Sequence, residues 1–147
     1  MLPDAIMAII KERLGNRTED YLIPPPVFTS MGGEFVDVAL DEGVLITRFP
    51  VRKEYLNPYG AVQGGMVAAA VDNTLGPLSM LVAPPNVTRM LEMKYSRPVT
   101  PDLEFMTVKA RFISREGHFL HFRAEVRDMD GNLLARAKAT HWVIEGT

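Results

Sequence analysis

The chain contains no cysteine. That excludes a disulfide framework, a thiolate nucleophile and every cysteine-ligated metal site, and it fits a reducing compartment. Positive charge is not in excess either. Lys and Arg number 16 against 18 Asp and Glu, a formal net charge of −2, whereas nucleic-acid modules are usually clearly basic. No nucleic-acid partner is expected. Long uninterrupted hydrophobic runs are also missing. The longest, Met66 to Ala83, is broken by Asp72, Asn73 and Thr74 and holds Pro77 near its middle, which argues against a membrane span. The first residues lack the basic start and long apolar core of a signal peptide, so a cytoplasmic location is the expectation. His118, His121 and His141 lie far apart, two of them on strand positions that read as solvent- or interface-facing. With no H-E-x-x-H, G-x-S-x-G or phosphate-cradling glycine loop after a strand, neither a metal nor a cofactor is expected.

What is present is an ordinary globular balance. The 147 residues are 47% hydrophobic and 23% charged. That suits one domain, 1–147, and excludes intrinsic disorder. Residues 2–14 read as an amphipathic helix, with Pro3 at its first position, Gly15 as its stop, and Ile6, Ile9, Ile10 and Leu14 on one face. Pro24, Pro25 and Pro26 predict a stiff extended connector. Residues 1–32 thus precede a core of 33–147. From Glu34 to Val51 a hairpin is expected, with Val36, Val38 and Leu40 alternating against Asp37 and Asp41, and Glu42-Gly43 as the turn. Residues 54–65 form a Pro- and Gly-containing loop. Met66 to about Ala83 is apolar on nearly all sides, predicting a buried helix that Pro77 kinks or ends early. Strands follow at Val87–Tyr95, Leu103–Ile113, Phe119–Arg127 and Leu133–Ile144. Asp130-Gly131-Asn132 makes a tight turn between the last two.

The segment Asn57-Pro58-Tyr59-Gly60-Ala61-Val62-Gln63-Gly64-Gly65, followed by Val71-Asp72, resembles the hotdog-fold acyl-CoA thioesterases, and more narrowly the phenylacetyl-CoA thioesterase type within the 4-hydroxybenzoyl-CoA thioesterase superfamily. Tyr95-Ser96-Arg97-Pro98 and the hairpin Asp128–Asn132 extend the match, so that it covers roughly residues 33–144. The resemblance implies an α+β fold with one antiparallel sheet wrapped around a long central helix. It also implies an acyl-CoA substrate and a homo-oligomer, a dimer or a dimer of dimers. One residue departs from the pattern. The family's usual His is Gln63 here, which can hydrogen-bond but cannot shuttle a proton.

Thioester hydrolysis needs a polarised carbonyl, a stabilised oxyanion and a delivered water or nucleophile. Gly64 and Gly65 stand at the expected start of the buried helix. First-turn N–H groups there lack internal partners and could form an oxyanion hole; equally, paired glycines ease a loop into a helix. Asp72 is a lone carboxylate in apolar surroundings. If buried it must be paired, neutral or functional, with its pKa raised in a way that suits a base. The resemblance makes Asp72 the base or the nucleophile, acting across the dimer interface on a thioester held at the partner's Gly-Gly turn. It also implies that Asn57 orients water or thioester and that the Thr88 hydroxyl supports the water. Without the resemblance these two are a turn residue and an ordinary strand threonine. Most other Arg and Lys residues read as solvated strand faces, with Arg97 the first choice for a CoA phosphate. Three readings compete with acyl-CoA hydrolysis: a non-catalytic acyl-CoA binder, a thioesterase for acyl-carrier-protein thioesters, and a hydratase, which would need a His near Asp72.

Overall fold

The computed structural model describes residues 3–144. Six strands form one sheet: β1 (Glu34–Ala39), β2 (Val44–Pro50), β3 (Asn86–Tyr95), β4 (Phe105–Glu116), β5 (Phe119–Arg127) and β6 (Leu133–Val143). Their spatial order is β1-β2-β4-β5-β6-β3 and every neighbouring pair is antiparallel. Helix α3 (Gly64–Val82) leaves the β2 side of the sheet and hands the chain to β3 at the far edge. It lies across one sheet face, packing against β2, β3, β4 and β5. This is the hotdog arrangement, with the two expected runs of strands on either side of a central helix.

Periodicity explains what the helix buries. Strand β5 turns Leu120, Phe122, Ala124 and Val126 inward, and β6 turns Ala135, Ala137, Ala139, His141 and Val143 inward. From α3 they receive Val67, Val71, Leu75 and Leu78, all within 2% of full burial. Each such aliphatic contributes about 1.5–3 kcal/mol of transfer free energy. The buried hydroxyls of Thr47 and Thr74 meet at 2.7 Å, and Thr74 also donates to the Ala70 carbonyl at 2.8 Å. These bonds pin β2 to the helix without leaving a buried polar atom unpaired.

The N-terminal part departs from the sequence reading in three places. Helix α1 runs Asp4–Leu14 with Pro3 as its cap rather than its first residue, and Leu2 lies outside the described residues. Gly15 ends the α-helix, but a 3-10 helix continues from Gly15 to Asp20. The triple-proline segment is not an extended connector. The Ile23–Pro24 peptide is cis, and Pro26 opens a short helix, α2 (Pro26–Ser30). A proline without its N–H fits a first helical turn, where that N–H has no partner anyway. Helix α2 delivers Phe28 into the core, stacked on Phe35 at 4.6 Å and edge-on to Phe49 at 5.4 Å.

Two further expectations are corrected. Val36 and Leu40 do not share a buried face with Val38. A bulge between Phe35 and Asp37 leaves Val36 unpaired and exposed, and turns Phe35 and Val38 to the core instead. An extra residue inverts the alternation downstream of it. Pro77 does not end α3, which continues five residues beyond it. The missing N–H costs an exposed helix about 3 kcal/mol, but Pro77 is itself buried, and packing on both sides holds the turn.

Candidate active site

The loop ahead of α3 is built by Asn57. Its Oδ1 accepts from the Tyr59 N–H at 2.9 Å and the Ala61 N–H at 3.2 Å, and its own N–H donates to the Ala61 carbonyl at 2.7 Å. The carbonyl half of this side chain therefore shapes the turn, and its amide Nδ2 has no acceptor among the described residues. Gln63 caps α3 through its backbone. Its carbonyl accepts from Met66 and Val67, while its side chain is exposed and makes no cap bond. The N–H groups of Gly64 and Gly65 are consequently without acceptors among the described residues. They project from the positive end of a 19-residue helix, the arrangement that binds a developing negative charge.

The two glycines differ in what surrounds them. The Tyr95 hydroxyl donates to the Gly64 carbonyl at 2.6 Å, and a Cβ at position 64 would meet the tyrosine ring at 3.1 Å. Glycine here permits the ring to sit on the loop. Partial burial raises the Tyr95 pKa, which keeps the phenol a donor. At Gly65 a Cβ would meet nothing within 4 Å, so that face of the helix end is open to a ligand. Arg97 lines the same groove as Asn57 and Gly64. Hydrogen bonds from Asn132 and Asp130 hold Asp128 below the usual carboxylate range, and the Arg97 charge adds to this. Arg97 thus stands beside the Asp128–Asn132 hairpin at one end of the groove.

Asp72 lies elsewhere, and it is not buried. Its side chain is exposed on the stripe of α3 that the sheet leaves uncovered, together with Gly65. Most buried positions of α3, such as Val67, Ala70, Thr74 and Leu81, occupy the opposite side, so an apolar composition concealed one open face. The burial on which the sequence argument for Asp72 rested is absent in the single chain. Asp72 instead opens onto a cleft of about 550 Å³ with a mainly apolar wall, drawn from Leu14, Tyr21, Pro25, Pro77, Met80 and Pro85. The N-terminal segment thus supplies part of the cleft, which the sequence did not indicate.

Beside Asp72 the structure gathers residues from two strands. Thr88 of β3 pairs in register with His141 of β6, which places both side chains on one face of the sheet, below α3. The Thr88 hydroxyl donates to Asp72 Oδ1 at 3.0 Å. His141 Nε2 lies 3.5 Å from the same hydroxyl, and His141 Nδ1 lies 2.7 Å from Asn86 Oδ1. His141 is only 1% exposed. Its reading as solvent- or interface-facing is therefore wrong, and the strand's own alternation shows why. Arg136, Lys138, Thr140 and Trp142 take the outer positions, leaving His141 on the inner row with three alanines. His121 is half-exposed, 3.6 Å from Glu116, as its position suggested. Among the described residues no three His, Asp or Glu side chains converge as a metal centre requires.

The structure therefore brings the sequence-selected residues together in two places. Asn57, Gly64 and Arg97 share a groove at the start of α3, with Gln63 and Gly65 beside it; Asp72 and Thr88 share the second cleft. Seven residues separate Gly65 from Asp72, about 10 Å along the helix axis. An antiparallel sheet folded on one long helix defines a hotdog protein, here with two free N–H groups at the helix start and a carboxylate two turns on.

The chain belongs to the thioesterase superfamily, whose family model matches residues 59–135. Similar solved structures include a candidate thioesterase of Ralstonia eutropha JMP134, a phenylacetic acid degradation-related protein. It is 29% identical, with a TM-score of 0.75, covering 87% of this chain and 98% of that one. The Escherichia coli PaaI protein from the phenylacetic acid degradation operon superposes with a TM-score of 0.78 at 14% identity, over 97% of this chain and 98% of that one. A Streptococcus mutans UA159 protein bound to acetyl-CoA is 21% identical with a TM-score of 0.67, over 75% and 88% of the two chains.

Proposed function

We propose that this protein is an acyl-CoA thioesterase that hydrolyses an acyl- or aryl-CoA thioester to the free acid and CoA. The observation that carries this reading is the pair of unpartnered N–H groups at Gly64 and Gly65, on the same helix stripe as the Asp72 carboxylate. The glycine N–H groups polarise the thioester carbonyl and stabilise the oxyanion. Asp72, held by Thr88, takes a proton from the attacking water; direct attack by Asp72 to form a mixed anhydride is the other route open to this carboxylate. The free amide of Asn57 donates to water or thioester, Gln63 lies at the mouth, and Arg97 receives a CoA phosphate. The acetyl-CoA held by the Streptococcus mutans relative supports CoA as the carrier.

A separation of about 10 Å along the helix is more than one hydrogen-bonded water spans, so a single chain does not present both groups to one carbonyl. The reading therefore includes a symmetric dimer, or a dimer of dimers, in which Asp72 of one chain serves the glycine turn of the other. Strand β3 suits this. It is the sheet edge beside Asp72, and Val87, Met90 and Tyr95 on it are exposed apolar or aromatic side chains, a combination usually managed by pairing. Sedimentation at micromolar concentration is expected to show a dimer or larger species; a monomer alone would remove the shared site. The same account puts the whole chain, 1–147, to work as one cytoplasmic unit.

Turnover of a panel of aryl- and alkyl-CoA thioesters, followed by thiol release, tests the activity. Binding without turnover would instead identify an acyl-CoA binder, and release from acyl-carrier-protein thioesters alone would change the carrier. The hydratase reading gains a histidine near Asp72, but the Nε2 of His141 faces Thr88 and the ring is buried, so hydration of an enoyl-CoA is not expected. Gln63→His restores the residue usual in the family. Where Gln63 is a working substitute, kcat changes by less than about tenfold, below the 100-fold expected of a proton-transfer group. A nearly inactive wild type rescued by this change would mark Gln63 as a loss of catalysis.

A further inference from the structure

His141 is a buried titratable group that the proposed chemistry leaves unused, and its surroundings are too specific for a space-filler. Its hydrogen-bond partners fix its tautomer. Asn86 Nδ2 donates to the Pro84 carbonyl at 2.9 Å, which leaves Asn86 Oδ1 as the acceptor facing His141 Nδ1 at 2.7 Å. Nδ1 therefore carries a proton, and in the neutral ring Nε2 is a bare acceptor. That acceptor points at Thr88 Oγ1, 3.5 Å away, and the same oxygen lies 3.0 Å from Asp72 Oδ1.

Thr88 has one hydroxyl hydrogen and two acceptors competing for it, the Asp72 carboxylate and His141 Nε2. As drawn it serves Asp72, and the array Asn86–His141–Thr88–Asp72 is one proton short of complete. Adding a proton at the Asp72 end completes it. Protonated Asp72 donates to Thr88 Oγ1, and Thr88 turns its hydrogen to Nε2. Every donor then has an acceptor.

From this geometry we propose that His141 is a positioning residue for thioester hydrolysis, accepting through the Thr88 hydroxyl the proton that Asp72 takes from water. This rests on the water-activating reading of Asp72. The step balances. Water's oxygen bonds to the thioester carbon, its proton passes to Asp72, and Thr88 gives its own proton to Nε2 as it receives the one from Asp72. Asp72 is left as a carboxylate beside an imidazolium. When the carbon–sulfur bond breaks, the proton returns by the same path to the departing thiolate.

The groups around the ring support an acceptor role. β3 presents Asn86 and Thr88, and β5 presents Leu120 and the ring of Phe122, at 4.8 Å. α3 presents Asp72, the one charge among the described residues that acts on the imidazole. Burial pushes His141 below 6.5, partly opposed by Asp72, so the ring is neutral and able to accept at neutral pH. As the pH falls through its pKa, Nε2 becomes occupied and the relay closes.

The test uses the full-length oligomer and a thioester from the panel. His141→Gln is expected to lower kcat at least about tenfold, a part of the 100-fold or more expected of the base itself, with KM little changed. Its acid limb should move to lower pH, because the histidine titration is gone. Thr88 is exposed, so its variants report on the array even where a change at buried His141 disturbs folding. Thr88→Val should match the His141→Gln loss, Thr88→Ser should recover most of it, and the double variant should be no slower than the slower single one. In ¹⁵N-histidine NMR without substrate, Asp72→Asn should lower the His141 pKa, since the charge that raises it is removed. His141→Gln and Thr88→Val at full rate beside a dead Asp72→Asn would overturn the relay while leaving Asp72 as the base. An unchanged His141 titration in Asp72→Asn would overturn it without recourse to activity. A wild type that turns over no thioester would overturn the parent reading and the relay together.

Discussion

Asp72→Asn is expected to lower kcat at least about 100-fold, the lower end for a general base, with KM changed far less. Asparagine keeps the side chain's shape and can still accept from the Thr88 hydroxyl, so the 3.0 Å contact has a replacement. What is lost is the ability to take a proton or to attack carbon. Asp72 is exposed in the single chain, which bounds the effect on the stability of the fold. No buried charge is relieved, so the unfolding free energy should move by no more than about 0.5 kcal/mol, as for other surface changes. Steady-state kinetics with a melting curve separates the two. Full activity in this variant would sink the mechanism, whichever route Asp72 takes.

Gly65→Pro removes a hydrogen-bond donor and puts a ring carbon in its place. Residue 65 is the second of α3, where a helical φ suits proline and the N–H has no intrahelical acceptor to lose. A Cβ there meets nothing within 4 Å. Gly64 precedes it and, lacking a Cβ, avoids part of the clash that proline imposes on the residue before it. The helix should form as before and stability should hold or rise slightly. If the Gly65 N–H stabilises the oxyanion, kcat should fall by about 100- to 1,000-fold, the effect of removing one such donor elsewhere. Retained circular dichroism with retained activity would show that this N–H does not meet the developing charge.

The strands were legible because their burial is one-sided and periodic, and the central helix because its stretch is apolar on nearly all sides. Leu120, Phe122, Ala124 and Val126 sit where alternation places them, and the resemblance over Asn57–Asp72 singled out residues that line two clefts. Other features fail for identifiable reasons. Pro24–Pro26 reads as extended from dihedral preference, yet a proline at a helix start obeys the same preference and lets Phe28 reach the core. The Val36 bulge leaves no trace in the alternation that it interrupts. Asp72 was expected to be buried because its neighbours are apolar, but some of those neighbours, Gly76, Pro77 and Met80 among them, line an open cleft. His141 was missed although its signal was present. It occupies the inward phase of β6, and only its pairing with Thr88 across two strands distant in sequence shows what it meets. Pairings of that kind are set by topology, which local pattern does not carry.

The central claim is that hydrolysis takes place at a site completed by two chains. Co-expression of Asp72→Asn with Gly65→Pro, each carrying a different affinity tag, isolates the mixed dimer. One of its two sites then combines both defects, and the other combines an intact Asp72 with an intact glycine turn. The account predicts about half of the wild-type activity per dimer, as the two-fold symmetry of a shared site requires, from two variants that are each nearly inactive alone. A mixed dimer as inactive as its parents would contradict it, because a site contained within one chain would be broken in both.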